Sequence, residues 1–168
     1  MHIDCSGTGS PAVILEAAAC APWSEWRLVQ PGISHLTQVC SYDRAGHGWS
    51  EPRKGPRDAE TIVRELHSLL VKAGVKPPLI LVGHSAGGRY VREYAREFPG
   101  EAAGVVLIDA SSPKQLDELP GSRAAYEEDK RNANWELWKD RLLVWSGWER
   151  LLGHCSVPAS DYPGWKGQ

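Results

Sequence analysis

The chain has 168 residues, 42% hydrophobic and 24% charged, with 17 Gly, 12 Pro, 4 Cys and 8 Trp. Folded domains run at about 45–50% apolar and about 25% charged, so this balance excludes a disordered, a collagen-like or a disulfide-scaffold chain. The 19 basic and 21 acidic residues give a formal charge of −2 with no concentrated Lys/Arg stretch, so no nucleic-acid partner is expected.

The opening MHIDCSGTGSPAVILE lacks a basic segment followed by an apolar one and does not read as a secretory signal. Ala12 to Glu16 is a short apolar run after Gly7, Gly9 and Pro11, and it reads as a strand that stops at the small-residue loop Ala17 to Cys20. Trp23 to Gln30 reads as a brief helix ended by Pro31 and Gly32, and Thr37 to Tyr42 as a second strand. Asp43 to Arg57 is rich in Gly and Pro and reads as a long loop. Asp58 can then cap a helix in which Ile62, Leu66, Leu69 and Leu70 recur until Gly74.

Leu79 to Val82 is a continuous apolar run, as for a strand covered on both faces. A helix is expected from about Ala86 to Phe98 and another buried strand from Ala103 to Asp109. These alternating strands and helices predict an α/β fold with a mostly parallel sheet and helices on both faces. Beyond about Pro113 the pattern changes: Trp135, Trp138, Trp145 and Trp148 fall in a Trp- and Leu-rich stretch with no further strand. The expected organisation is a core over 1–112 and a helical lid or cap over 113–168, the Trp residues serving either as lid core or as an apolar pocket wall.

Cys5, Cys20, Cys40 and Cys155 are scattered without a CxxC pair, which reads as reduced thiols and a cytoplasmic location. The apolar runs are strand-sized, short of the ~20 residues of a membrane span, so none is expected. His35, His47 and His67 share no metal-ligand spacing, and neither metal nor cofactor is expected.

The chemistry concentrates in Gly83-His84-Ser85-Ala86-Gly87, between the apolar strand and the amphipathic helix. A nucleophile elbow needs a strand, a sharp turn and a helix in that order. Ser85 would project at the turn, Gly83 and Gly87 would remove colliding Cβ atoms, and the helix start would aim the Ala86 N–H at a developing oxyanion. The plain alternative is a helix cap at Ser85. His84 is expected to pack beside the elbow, and Asp43 and Arg44 either to bind an acidic substrate or to form a local ion pair anchoring their loop.

With PAVILEAAA, YDRAGHGWSEP and VVLIDASSP occurring in order around GHSAG, the chain from about Pro11 to Pro113 resembles the α/β-hydrolase superfamily, in its serine esterase or lipase-like form. The resemblance implies Ser85 as nucleophile, the N–H groups of Ala86 and Ala19 as oxyanion donors, and acyl transfer from an ester or related small molecule with an apolar group. Ala18 stands where the family usually has Gly, which would cost about 1 kcal/mol or more if that backbone needed positive φ.

The family places its acid and its His after later strands, and no such strands are seen before Gln168, so the chain reads as truncated and weakly active or inactive. Asp109 is a candidate acid or else a structural Asp, and His154 is a weak candidate base or else a solvent-facing lid residue. The alternatives to an esterase are a noncatalytic binding module of the same fold and a cofactor-free perhydrolase of the haloperoxidase type. Oligomeric state stays open.

Overall fold

The computed structural model describes residues 1–52 and 57–112, together with Gly121 and Ala124. Contacts divide the chain between Ser111 and Ser112, and Met1–Ser111 form one compact unit. The lid expected from about Pro113, with its Trp residues, and His154 lie outside the described residues.

Five strands form one sheet: β1 (Ile3–Ser6), β2 (Ala12–Glu16), β3 (Val39–Tyr42), β4 (Leu79–His84) and β5 (Ala102–Ile108), in the order β1-β3-β2-β4-β5. β1 runs antiparallel to β3, and the other neighbours are parallel. The parallel strands are joined by α1 (Gln30–Ser34), α2 (Ala59–Lys72) and α3 (Gly87–Glu97). Alternation along β2 splits the core. Ala12 and Ile14 join Leu66, Leu70, Val91 and Tyr94 under α2 and α3, while Val13 and Leu15 meet Trp26, Val39 and Val82 on the opposite face. Helical segments therefore cover both faces of the sheet.

Asp58 begins α2 as expected, its Oδ1 accepting the Thr61 N–H at 2.8 Å, and Gly74 follows the helix with φ +72°. Chain order reverses across β2 and β4, and their register pairs Glu16 with Gly83. The loops after these two strands thus leave the sheet side by side at its carboxyl edge, where open parallel sheets bind ligands.

Several expectations change. β1, which the short IDCS segment hardly signals, adds an antiparallel edge. Pro31 and Gly32 lie inside α1 rather than ending a helix, with Trp23–Trp26 forming a separate 3₁₀ turn. Pro31 has no N–H to lose in a first helical turn and brings a helical φ, so it starts this helix. β5 is not buried: Val105, Val106, Leu107 and Ile108 are 40–46% exposed, because it pairs with β4 on one side and with no other strand among the described residues.

The thiols are not reduced either. Cys5 and Cys40 form a disulfide directly across the β1–β3 pair, with Cα atoms 4.1 Å apart, and Cys20 is also disulfide-bonded. Non-hydrogen-bonded antiparallel partners approach this closely, so two Cys placed opposite each other can be bridged. Disulfides persist in oxidising surroundings, so these cysteines lend no support to a cytoplasmic location. No described helix is long and apolar enough to cross a membrane.

Candidate functional site

β4 ends at His84 and α3 begins at Gly87, leaving Ser85 and Ala86 to make the turn. Ser85 has φ +50°, a left-handed conformation that costs a residue with a side chain about 1–2 kcal/mol. Its backbone is held on both sides: its N–H donates to Ile108 O at 3.1 Å, and its carbonyl accepts from Gly88 N–H at 3.1 Å and Ser111 N–H at 3.0 Å.

The two elbow glycines answer to close backbone approach. A Cβ on Gly83 would come within 2.6 Å of Gly87 O, and one on Gly87 within 2.5 Å of Glu16 O. Gly87 therefore lets the start of α3 lie directly on the loop after β2. The Ala86 N–H, ahead of the first turn of α3, has no acceptor among the described residues and is available to an oxyanion.

That neighbouring loop is organised by a buried cation. Glu16, fully buried at the end of β2, accepts from the Tyr42 hydroxyl and from Arg44 Nη1. The same guanidinium donates to Ala17 O at 2.9 Å, Ala18 O at 2.5 Å and Ala19 O at 2.6 Å, and lies 5.5 Å from the Tyr90 ring centre. Burial pushes the Glu16 carboxyl up, opposed first by Arg44, while the same burial and the facing Glu16 raise the Tyr42 hydroxyl well above its usual value.

Arg44 thus gathers the carbonyls of the loop to one side. The Ala19 N–H has no acceptor among the described residues. Ala18 is not among the residues with positive φ, so the alanine in place of glycine carries no left-handed penalty.

Arg44 does not pair with Asp43, as one of the two expectations for that loop had it. Asp43, also fully buried, accepts from Trp23 N–H at 2.8 Å and Trp49 N–H at 3.0 Å, and so ties the loop after β3 to the 3₁₀ turn. His47, in the same loop, has its imidazole held below its usual value by burial first and then by the Arg44 cation.

His84 packs beside the elbow, its Nδ1 2.7 Å from Glu25 Oε1 and its ring edge-on to Trp26. Asp109 follows Ile108, the register partner of His84, so Asp109 and Ser85 leave adjacent strands at the same level. Asp109 is exposed, has φ +42°, and its carboxylate makes no hydrogen bond among the described residues. No imidazole bonds the Ser85 hydroxyl among the described residues, and no group of His, Cys, Asp or Glu there could hold a metal.

Sequence reasoning missed Glu16 and Glu25. Glu16 had a readable signal: a charge closing the otherwise apolar AVILE strand needs a buried partner, and Arg44 follows the neighbouring strand. Glu25 had none, since its partners Ala18 N–H and His84 lie in other elements.

A family profile described as alpha/beta hydrolase fold matches residues 11–136. The uncharacterized protein YbdG of Bacillus subtilis is 29% identical over 117 residues, covering 68% of this chain and 36% of that protein. The alpha/beta hydrolase domain-containing protein VTE7 of Arabidopsis thaliana is 32% identical over 167 residues, covering 93% and 46%. Among solved structures, a thermophilic esterase from Thermogutta terrifontis shares the fold with a TM-score of 0.66 at 24% identity, over 80% of this chain and 47% of that one. The chain spans less than half the length of each of these proteins. With the profile covering three-quarters of its residues and the sheet order carrying the turn at Ser85, the chain belongs to the α/β-hydrolase fold family.

Proposed function

We propose that this chain carries the nucleophile of a serine hydrolase that cleaves carboxylic ester-type bonds in small molecules with an apolar group. The observation that supports it most is Ser85 at φ +50° between β4 and α3, with the Ala86 N–H beside it unspent among the described residues. In this reading the Ser85 Oγ attacks an acyl carbonyl, its proton passes to a base, and the carbonyl oxygen takes the negative charge. The N–H groups of Ala86 and Ala19 receive that charge from two adjacent loops. Gly83 and Gly87 let the loops close together, and Asp109, level with Ser85 on the next strand, is the carboxylate offered to orient the base. Serine rather than aspartate at the elbow favours acyl transfer over alkyl-ester chemistry.

The test is labelling by a fluorophosphonate probe and turnover of p-nitrophenyl acetate, in the chain as it stands and in Ser85→Ala. Labelling that disappears with Ser85→Ala supports the reading. Equal labelling in both, or none in either while a small ligand still binds, supports the noncatalytic binding module instead.

A further inference from the structure

Glu25 stands on the 3₁₀ turn Trp23–Trp26, between the two loops of the site. Its Oε2 accepts the Ala18 N–H at 2.9 Å, and its Oε1 lies 2.7 Å from His84 Nδ1. A carboxylate only accepts, so His84 Nδ1 carries the proton in that contact. His84 ends β4 directly before Ser85. One side chain therefore bridges the loop after β2 and the strand that delivers the serine.

The peptide plane shows what the bridge does. In a trans peptide the C=O and the following N–H point in opposite directions. The Ala17 carbonyl is taken by Arg44 and the Ala18 N–H of the same plane by Glu25. The plane is thus pinned from both sides. The next plane has its Ala18 carbonyl on Arg44, which turns the Ala19 N–H away from the guanidinium. Arg44 alone would leave the loop held at one edge, free to roll about its row of carbonyls; Glu25 removes that freedom and refers the loop to β4.

We propose that Glu25 is a positioning residue: through Ala18 N–H and His84 it fixes the oxyanion loop to the nucleophile strand and so aims the Ala19 N–H at the acyl oxygen on Ser85. The functional half of this statement rests on reading Ser85 as the nucleophile. The structural half does not.

The variants are Glu25→Ala, which removes the bridge, and Glu25→Gln, whose amide oxygen still accepts from Ala18 N–H while its amide nitrogen faces His84. With the fluorophosphonate probe, Glu25→Ala is expected to lower the limiting rate of Ser85 labelling roughly 10–100-fold with the probe's half-saturating concentration little changed, because an oxyanion donor acts on the charged species rather than on ground-state binding. Glu25→Gln is expected to recover most of that loss.

Amide hydrogen exchange supplies the readout that does not depend on the chemistry: Ala18 should exchange roughly ten-fold faster in Glu25→Ala and near the wild-type rate in Glu25→Gln, with α2 and β4 unchanged in both. Unchanged Ala18 exchange in Glu25→Ala overturns the proposal, as does faster exchange with an unchanged labelling rate. A wild-type chain that is not labelled at Ser85 defeats the serine reading, and the exchange comparison then upholds or overturns the bridge by itself.

Discussion

Strands β2 and β5 are made of the same kind of residue and live in opposite circumstances. β2, AVILE, lies between β3 and β4 with all five residues buried. Among the described residues β5, AAGVVLI, pairs with β4 alone, and its last four apolar side chains are 40–46% exposed. The flanked strand ends in a buried charge, Glu16, that fastens Arg44 and through it the backbone of the next loop. β5 and the residues just after it contribute backbone instead: Ile108 O and the Ser111 N–H hold Ser85. The difference teaches that the rigidity of the site comes from the middle of the sheet, while its edge lends hydrogen bonds without a packed surround.

The strongest way to break this comparison is Arg44→Met. It leaves Glu16 buried without its cation and frees three carbonyls; breaking a buried pair from one side costs about 3–5 kcal/mol. Urea unfolding measures it, and a loss below about 1 kcal/mol would show that the loop does not depend on this cation. Next comes Ile14→Ala against Val106→Ala. The first opens a cavity in a fully buried strand and should cost about 2–5 kcal/mol, the second about 1 kcal/mol or less for a half-exposed side chain. Equal losses would mean that β5 is covered in solution.

The smallest effect sharpens the comparison from outside the sheet. Asp58→Ala removes the cap of α2 and should cost about 1 kcal/mol at neutral pH. The Thr61 N–H holds the Asp58 carboxyl below its usual value. The cap's stabilisation is therefore present above the unfolded value and is lost as pH falls through the folded one, so the two proteins should converge in stability in strong acid.

Much of this architecture is readable in the residues. The strand at Ala12–Glu16, the cap at Asp58 and the turn at Ser85 are local features, each set by neighbours within a few positions, and local patterns predict them. Burial of β5 is a different kind of property. An apolar run records what a residue prefers, whereas exposure depends on whether a strand lies on its far side, which VVLI cannot state. The same holds for the site: Ser85 is announced by its own flanks, but Glu25 and Arg44 act by meeting backbone from other elements, and Glu16 by meeting the side chains of Tyr42 and Arg44. The disulfide fell outside reach for a related reason, since Cys5 and Cys40 face each other only once β1 pairs with β3.

That covalent bond also has a meaning for the chain before it folds. It closes a ring of 35 residues' separation that contains β2, Ala17–Ala19 and Glu25, the whole of the loop that carries the proposed second oxyanion donor. A ring of this size removes conformational freedom from the denatured ensemble worth about 4 kcal/mol in the chain-entropy account. Assembly of the loop after β2 thus starts from a tethered search, and a reducing medium would return that search to an open chain.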